Sequence, residues 1–167
     1  MKNLYIDFDG VILDTINVTF DLLKELGIDE TNEKEVRHFY ATLDWKKMLE
    51  ETPQINNSME CIKKLEESEL YDIAILTHVN SLNEIVEKVK FIRKHLGTIT
   101  IIPVPKQLSK TKMVNAKDAI LVDDYSGNLR EWALAGGIGI RFNLRKNGKG
   151  FPVIDSLDQL LEEDFVK

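Results

Sequence analysis

Asp7-Phe8-Asp9-Gly10 sets two carboxylates two residues apart, directly after the short apolar run Leu4-Tyr5-Ile6. Thr77 and His78 close a second apolar run, Ile73-Ala74-Ile75-Leu76, and Asp123-Asp124 close another, Ala119-Ile120-Leu121-Val122. Lys106, Lys110 and Lys112 follow the run Ile99-Thr100-Ile101-Ile102. Aspartates brought together from neighbouring loops repel one another unless something positive lies between them. Oxygen-only ligands of this kind suit a hard cation. Magnesium fits better than zinc, because histidine is sparse and Cys61 is the only cysteine. A carboxylate can also attack phosphorus to give an aspartyl phosphate. Charge is the obstacle: a dianionic phosphate about 3.5 Å from a carboxylate costs roughly 9 kcal/mol at an effective dielectric near 20. A divalent ion and one lysine would cancel that repulsion. Such help is the main requirement for monoester hydrolysis, whose uncatalysed rate is among the slowest known.

These groups need a scaffold that converges them, and the order of elements supplies one. The runs beginning at Leu4, Ile73, Ile99, Ala119 and Ile138 read as five buried strands, alternating with helical patterns. Helices are expected from Asp14 to Glu25 with Gly27 as C-cap, as two short pieces within residues 30–51, and after Asn57 or Ser58. Others are expected from Leu82 to Leu96, from near Ser109, from Asn128 to Ala135, and from Leu157. Pro103 and Pro105 mark the exit of the third strand. The fold class is therefore α/β, a Rossmann-like parallel sheet with helices on both faces. The stretch between the first two strands is too long for a simple crossover. Residues 15–55 are expected to form a small helical cap, on a core built from 1–14 and 56–167. Ligands of open parallel sheets bind at the carboxyl ends of the strands, where Asp7, Asp9, Thr77, His78, Asp123 and Asp124 all fall.

Composition limits the partners. The chain of 167 residues carries 28 acidic and 22 basic side chains, a net charge of -6. That balance argues against a nucleic-acid polymer, which requires a basic face. Arg141, Arg145, Lys146 and Lys149 form a local basic cluster that reads as a solvated loop. With one cysteine, a disulfide within the chain is excluded, and Cys61 is expected to be buried in a helix face rather than reactive. The chain opens without a secretory pattern and has no apolar run near the roughly 20 residues that span a bilayer. A cytoplasmic protein with no membrane contact is the expectation.

The order Asp7-x-Asp9-Gly10, Thr77, a lysine, then Asp123-Asp124 resembles the four motifs of the haloacid dehalogenase-like superfamily, over nearly the whole chain. The resemblance implies a magnesium-dependent phosphatase in which Asp7 is the nucleophile and Asp9 protonates the leaving group, then activates water. Dehalogenases of the superfamily lack the second aspartate. Thr77 would hold a phosphoryl oxygen, and a lysine would neutralise its charge. Lys110, behind the helix-capping Ser109, is preferred for that lysine over Lys106 and Lys112. The resemblance also implies metal contacts from the Asp7 side chain, the Asp9 carbonyl and Asp124, with Asp123 acting through water. Many members carry another acid where this chain has Asn128.

More narrowly, Val122-Asp123-Asp124 with Trp132 and Ala135-Gly136-Gly137 resembles the 5'(3')-deoxyribonucleotidase branch. A nucleoside monophosphate is then the implied substrate. Phe20, Phe39, Tyr40 and Trp45 are candidates to surround its base, unless their spacing only packs short helices, and His78 could touch substrate beside Thr77. A phosphosugar or another small phosphorylated metabolite is the alternative within the same chemistry. A phosphate-accepting receiver domain uses similar groups in another strand order and without the helical insertion. A non-catalytic phosphate-binding protein is the remaining alternative.

Overall fold

Six parallel strands form one sheet in the computed structural model, which describes residues 1–162. Their order is β3-β2-β1-β4-β5-β6. The central strand β1 (Lys2–Ile6) lies between β2 (Tyr71–Val79) and β4 (Ile120–Asp123), with β3 (Thr100–Pro105), β5 (Ile138–Phe142) and β6 (Val153–Ile154) outside them. Ile6 is in register with Ile75 on one side and Val122 on the other. The Asp7 amide continues the ladder, donating to the Val122 carbonyl at 2.9 Å. Asp7 therefore leaves the sheet between the two strands that carry Thr77 and Asp123.

Both faces of the sheet are covered, as a parallel sheet requires. Leu4 and Ile6 point into one cluster with Ile62 and Leu65 of α4 (Ser58–Glu67) and with Ile92 and Leu96 of α5 (Leu82–Leu96). Tyr5, on the opposite face, packs into a second cluster with Leu121, and with Leu129 and Trp132 of α6 (Ser126–Leu134). Trp132 is fully buried there. Its ring meets Tyr5 edge-on and its indole N–H donates to the Ala119 carbonyl at 2.9 Å. Cys61 is buried in α4.

The insertion comprises α1 (Thr15–Glu25), α2 (Glu33–Thr42) and α3 (Trp45–Glu51). Asn32 and Asp44 cap the second and third of these, accepting from Glu35 N and Lys47 N. The chain enters and leaves the insertion through paired segments: Leu13 bridges Gln54, Asp14 N donates to Pro53 O, and Ile55 N donates to Ile12 O. Its buried residues Trp45, Met48 and Leu49 belong to the same cluster as Leu4, Ile6 and Phe8. The insertion thus shares the core of the sheet.

Several elements differ from the sequence expectation for identifiable reasons. β3 runs through Pro103 and Pro105 instead of stopping before them; it is an edge strand, where a missing N–H breaks no ladder. β2 extends past Thr77 to Val79, paired with Pro105. α6 starts at Ser126 rather than Asn128, and the last element, Leu157–Leu161, is a 3-10 helix. β6 was not expected, since two residues carry no periodicity. Asn57 stands at the N-cap of α4 without a capping side-chain bond, while the Ser58 hydroxyl donates to Ile12 O at 2.7 Å. Arg141 is not part of a solvated loop. It is buried on β5, with Nε donating to Asp124 O and a guanidinium N–H to Asn147 O, whereas Arg145, Lys146 and Lys149 are exposed. No helix among the described residues is long and apolar enough to cross a membrane.

Candidate active site

A cavity of about 340 Å³ opens over the carboxyl ends of β1 and β4 and beneath the inserted helices. Asp7, Asp9, Asp124, Asn128, His78 and Lys106 line it from the sheet side; Thr15, Thr19, Tyr40 and Trp45 line it from the insertion. The volume lies at the lower end of the range for small-molecule pockets.

Asp7 is buried, and its Oδ1 lies 2.9 Å from Lys110 Nζ. The same ammonium is 2.6 Å from Asp123 Oδ2. Lys110 is only 2% exposed and stands in a 3-10 turn, Lys110–Lys112, capped by the Ser109 hydroxyl. A lysine placed there is fixed by its own backbone turn. Lys106 is exposed and reaches only the cavity wall, and Lys112 is exposed.

Asp123 has each oxygen engaged. Oδ2 also accepts from Asn128 Nδ2 at 2.9 Å, and Oδ1 accepts from Tyr125 N at 2.9 Å. Asp124 is different: it is partly exposed and lines the cavity, and no described side chain or backbone amide donates to its carboxylate. One carboxylate oxygen from each of Asp7, Asp123 and Asp124 lies within 4.8 Å of the other two. Burial and the charges of Asp7, Asp123 and Asp9 push Asp124 up to about 8. Burial also pushes Asp7 up to about 7; the Lys110 ammonium opposes the rise, and the charges of Asp123 and Asp9 add to it. Acids that hold protons this strongly are short of positive charge. A hard divalent cation among them would supply it and return both to carboxylates. The donor set fits such an ion, with Asp7 and Asp124 offering oxygens toward the cavity.

The loop after β1 is shaped by Gly10, whose φ of +73° is in the left-handed region. A Cβ at Gly10 would stand 2.5 Å from Asp124 Oδ2. The glycine therefore admits Asp124 to the loop that carries Asp7 and Asp9.

Asp9 is held by three donors. Thr15 Oγ1 donates to Oδ1 at 2.7 Å, while Thr77 Oγ1 at 3.4 Å and Lys88 Nζ at 2.6 Å donate to Oδ2. Burial would raise the Asp9 carboxyl, but the Lys88 charge and the bonds from Lys88 and Thr15 outweigh it and hold Asp9 below the ordinary 3.8. Thr77 is fully buried beside Asp9, accepting from Lys88 Nζ at 3.2 Å rather than lining the cavity. His78 does line it and bonds through Nε2 to the Leu108 carbonyl at 2.8 Å; burial lowers its pKa.

The four aromatic candidates separate into two pairs. Tyr40 and Trp45 line the cavity, stacked at 6.1 Å and 19°. Phe39 is buried beneath Tyr40, and Phe20 is 46% exposed and away from the cavity lining. On α1 the stripe facing inward is Thr15, Thr19 and Leu23, which leaves Phe20, one residue on from Thr19, turned outward. Lys88 and Glu84 were not anticipated as site residues. Glu84 lines the cavity, and Lys88 lies just behind it.

No family model matches the chain, and no curated protein sequence matches it. Solved structures do match in fold. A HAD phosphatase from Thermococcus onnurineus superposes with a TM-score of 0.64 at 17% identity, over 96% of each chain. A HAD-superfamily hydrolase of subfamily IA from Geobacter sulfurreducens gives 0.64 at 14%, over 100% of this chain and 97% of that one. The D,D-heptose 1,7-bisphosphate phosphatase from B. bronchiseptica, solved with magnesium and phosphate, gives 0.58 at 15%, over 98% and 99%. The chain has the haloacid dehalogenase-like fold; at these identities the likeness is one of fold.

Proposed function

We propose that this protein is a magnesium-dependent phosphomonoesterase acting through an aspartyl phosphate on Asp7. The observation that carries the reading is the setting of Asp7. It is a buried carboxylate at the end of the central strand, with one oxygen on Lys110, Asp124 close by, and the cavity in front. Asp7 and Asp124, with the Asp9 carbonyl, would hold the metal, and Asp123 would support them through Lys110, Asn128 and water. The cation would supply charge neutralisation at phosphorus.

The chain's own groups account for the rest. An Asp7 oxygen forms a bond to phosphorus as the ester P–O bond breaks, and the departing oxygen takes its proton from Asp9, which rests as a carboxylate beside Lys88 and takes up that proton as the substrate binds. The alcohol leaves, and Asp9, now a carboxylate, takes a proton from water as that water's oxygen bonds to phosphorus. The Asp7–phosphorus bond breaks, releasing phosphate and restoring a protonated Asp9. Lys110 keeps Asp7 oriented and balances the incoming charge. Segment 15–55 serves as the cap that covers the leaving group.

The substrate is a small phosphorylated metabolite, and a nucleoside monophosphate is the finer reading, as for a 5'(3')-deoxyribonucleotidase. Tyr40 on the cavity wall, partly exposed and backed by the buried Trp45, supports it, since an aromatic ring there suits a base. Phosphate release from a panel of nucleoside monophosphates and phosphosugars, with magnesium and with chelator, tests both levels. Magnesium-dependent release led by deoxynucleotides is expected. Release led by a phosphosugar would keep the chemistry and discard the nucleotidase, and normal turnover by Asp7→Asn would discard the mechanism.

A further inference from the structure

On α5 a fully buried lysine stands behind the acid–base aspartate. Lys88 Nζ lies 2.6 Å from Asp9 Oδ2, 2.7 Å from Glu84 Oε1 and 3.2 Å from Thr77 Oγ1, with the His78 carbonyl at 3.3 Å. Its side chain has no solvent exposure and Glu84 has 1%. Glu84 is itself fixed, because its Oε2 accepts from Asn80 N at 2.6 Å and Asn80 Nδ2 at 3.2 Å. The ammonium lies 5.1 Å from the centre of the Phe8 ring and 5.7 Å from that of Trp45. Burying a lysine is costly unless it is paired and hydrogen-bonded, and each partner here is placed to meet that condition.

Resting on the phosphomonoesterase reading, we infer that Lys88, held by Glu84, is the residue that positions the Asp9 carboxyl for proton transfer to the leaving group. Lys88 does not line the cavity, so it acts through Asp9 and not on substrate. Two threonines and the lysine hold the Asp9 carboxyl from both of its oxygens. Glu84 makes the arrangement workable. It already neutralises the ammonium, so Asp9 can release the contact or carry a proton without leaving an unpaired cation in the interior.

Leaving-group dependence separates this role from mere structural support. 4-Nitrophenyl phosphate and benzyl phosphate are similar in shape, but nitrophenolate departs without a proton and the benzyl alkoxide needs one. The ratio kcat/KM reports the steps through loss of the alcohol, so later hydrolysis of the aspartyl phosphate does not enter it. General acid catalysis is worth about 10²–10⁴-fold. For Lys88→Met, kcat/KM on benzyl phosphate should fall by about 30-fold or more and on 4-nitrophenyl phosphate by less than about threefold. Lys88→Arg should recover part of the benzyl rate. Should Lys88→Met fail to fold, Glu84→Gln/Lys88→Met, which removes both charges of the pair, should give the same asymmetry. Equal losses on both esters in a folded variant would overturn the inference. A wild-type protein silent on both esters with magnesium would instead overturn the phosphomonoesterase reading beneath it.

Discussion

Lys110 Nζ bridges Asp7 and Asp123, 2.9 Å from one carboxylate and 2.6 Å from the other, with 2% of its side chain exposed. Burial works against the ammonium, yet the charges of Asp123 and Asp7 outweigh it and raise its pKa. It is therefore a fixed positive charge. Removing it strands two buried carboxylates, which typically costs about 3–5 kcal/mol. Lys110→Met is expected to lower the urea midpoint accordingly and to reduce kcat by about 10² or more, the scale for losing a preorganised electrostatic partner. Urea titration beside a phosphate-release assay checks both effects.

The raised acids make a statement about pH and metal. Asp7 and Asp124 are held at about 7 and about 8 against an ordinary 3.8, so the folded metal-free chain binds more protons than the unfolded chain between those values. Their contribution to stability is full below the ordinary value and is lost as pH rises through the folded values. Magnesium competes for the same oxygens and gains as the protons leave. The melting temperature of chelated protein should fall between about pH 5 and pH 9, and the increase on adding magnesium should grow over that interval. Melting curves at several pH values with magnesium or chelator test this; a magnesium effect independent of pH would contradict it.

Gly10→Ala tests how closely the loop carrying Asp7 and Asp9 is fitted to Asp124. The new Cβ would stand 2.5 Å from Asp124 Oδ2 and 2.9 Å from its Cγ, at a φ of +73°. The backbone penalty alone is about 1 kcal/mol or more. Displacement of Asp124 should also weaken magnesium binding by about an order of magnitude, the scale of losing a supporting contact to a metal site. Calorimetric titration with magnesium on the folded variant provides the check.

The inserted helices predict a division among the aromatics. Tyr40→Ala removes one member of the stacked pair on the cavity wall, and KM should rise by about 3–10-fold, the equivalent of roughly 0.5–1.5 kcal/mol for an aromatic contact. Phe20→Ala should leave both kinetic constants within about twofold, as for an exposed side chain away from the site. Steady-state kinetics on the best substrate of the panel measure both.

Much of the α/β fold was legible because the main strands are continuous apolar runs, and those beginning at Leu4, Ile73 and Ala119 are followed by polar residues that line or back the cavity. Ile73–Leu76 and Ala119–Val122 gave their positions without any tertiary information. What stayed hidden had local patterns that mimic something else. Glu84 and Lys88, four residues apart on a helix, have the spacing of an ordinary surface ion pair and so carry no local mark of a site. The contrary signal was their stripe: Ile92 and Leu96 continue the same helix face, and Glu84 and Lys88 occupy the positions where apolar residues should extend it. Arg141 likewise sat next to exposed cations in sequence, while its place inside β5 turned it toward Asp124 O. On α1 the apolar Phe20 is exposed, while Thr15 and Thr19, both buried, line the cavity. A helix that faces a polar site reverses the rule by which apolar positions mark its buried side.

The central claim is that phosphorus passes through a covalent bond to Asp7. The direct measurement is borohydride trapping of protein mixed with a turned-over phosphate ester and magnesium, followed by peptide mass spectrometry. An acyl phosphate is reduced by hydride to the alcohol, with phosphate displaced, so the account predicts reduction of the Asp7 side chain alone and none in Asp7→Asn. Full turnover with no reduction at Asp7, or reduction at Asp9, Asp123 or Asp124 instead, would contradict it.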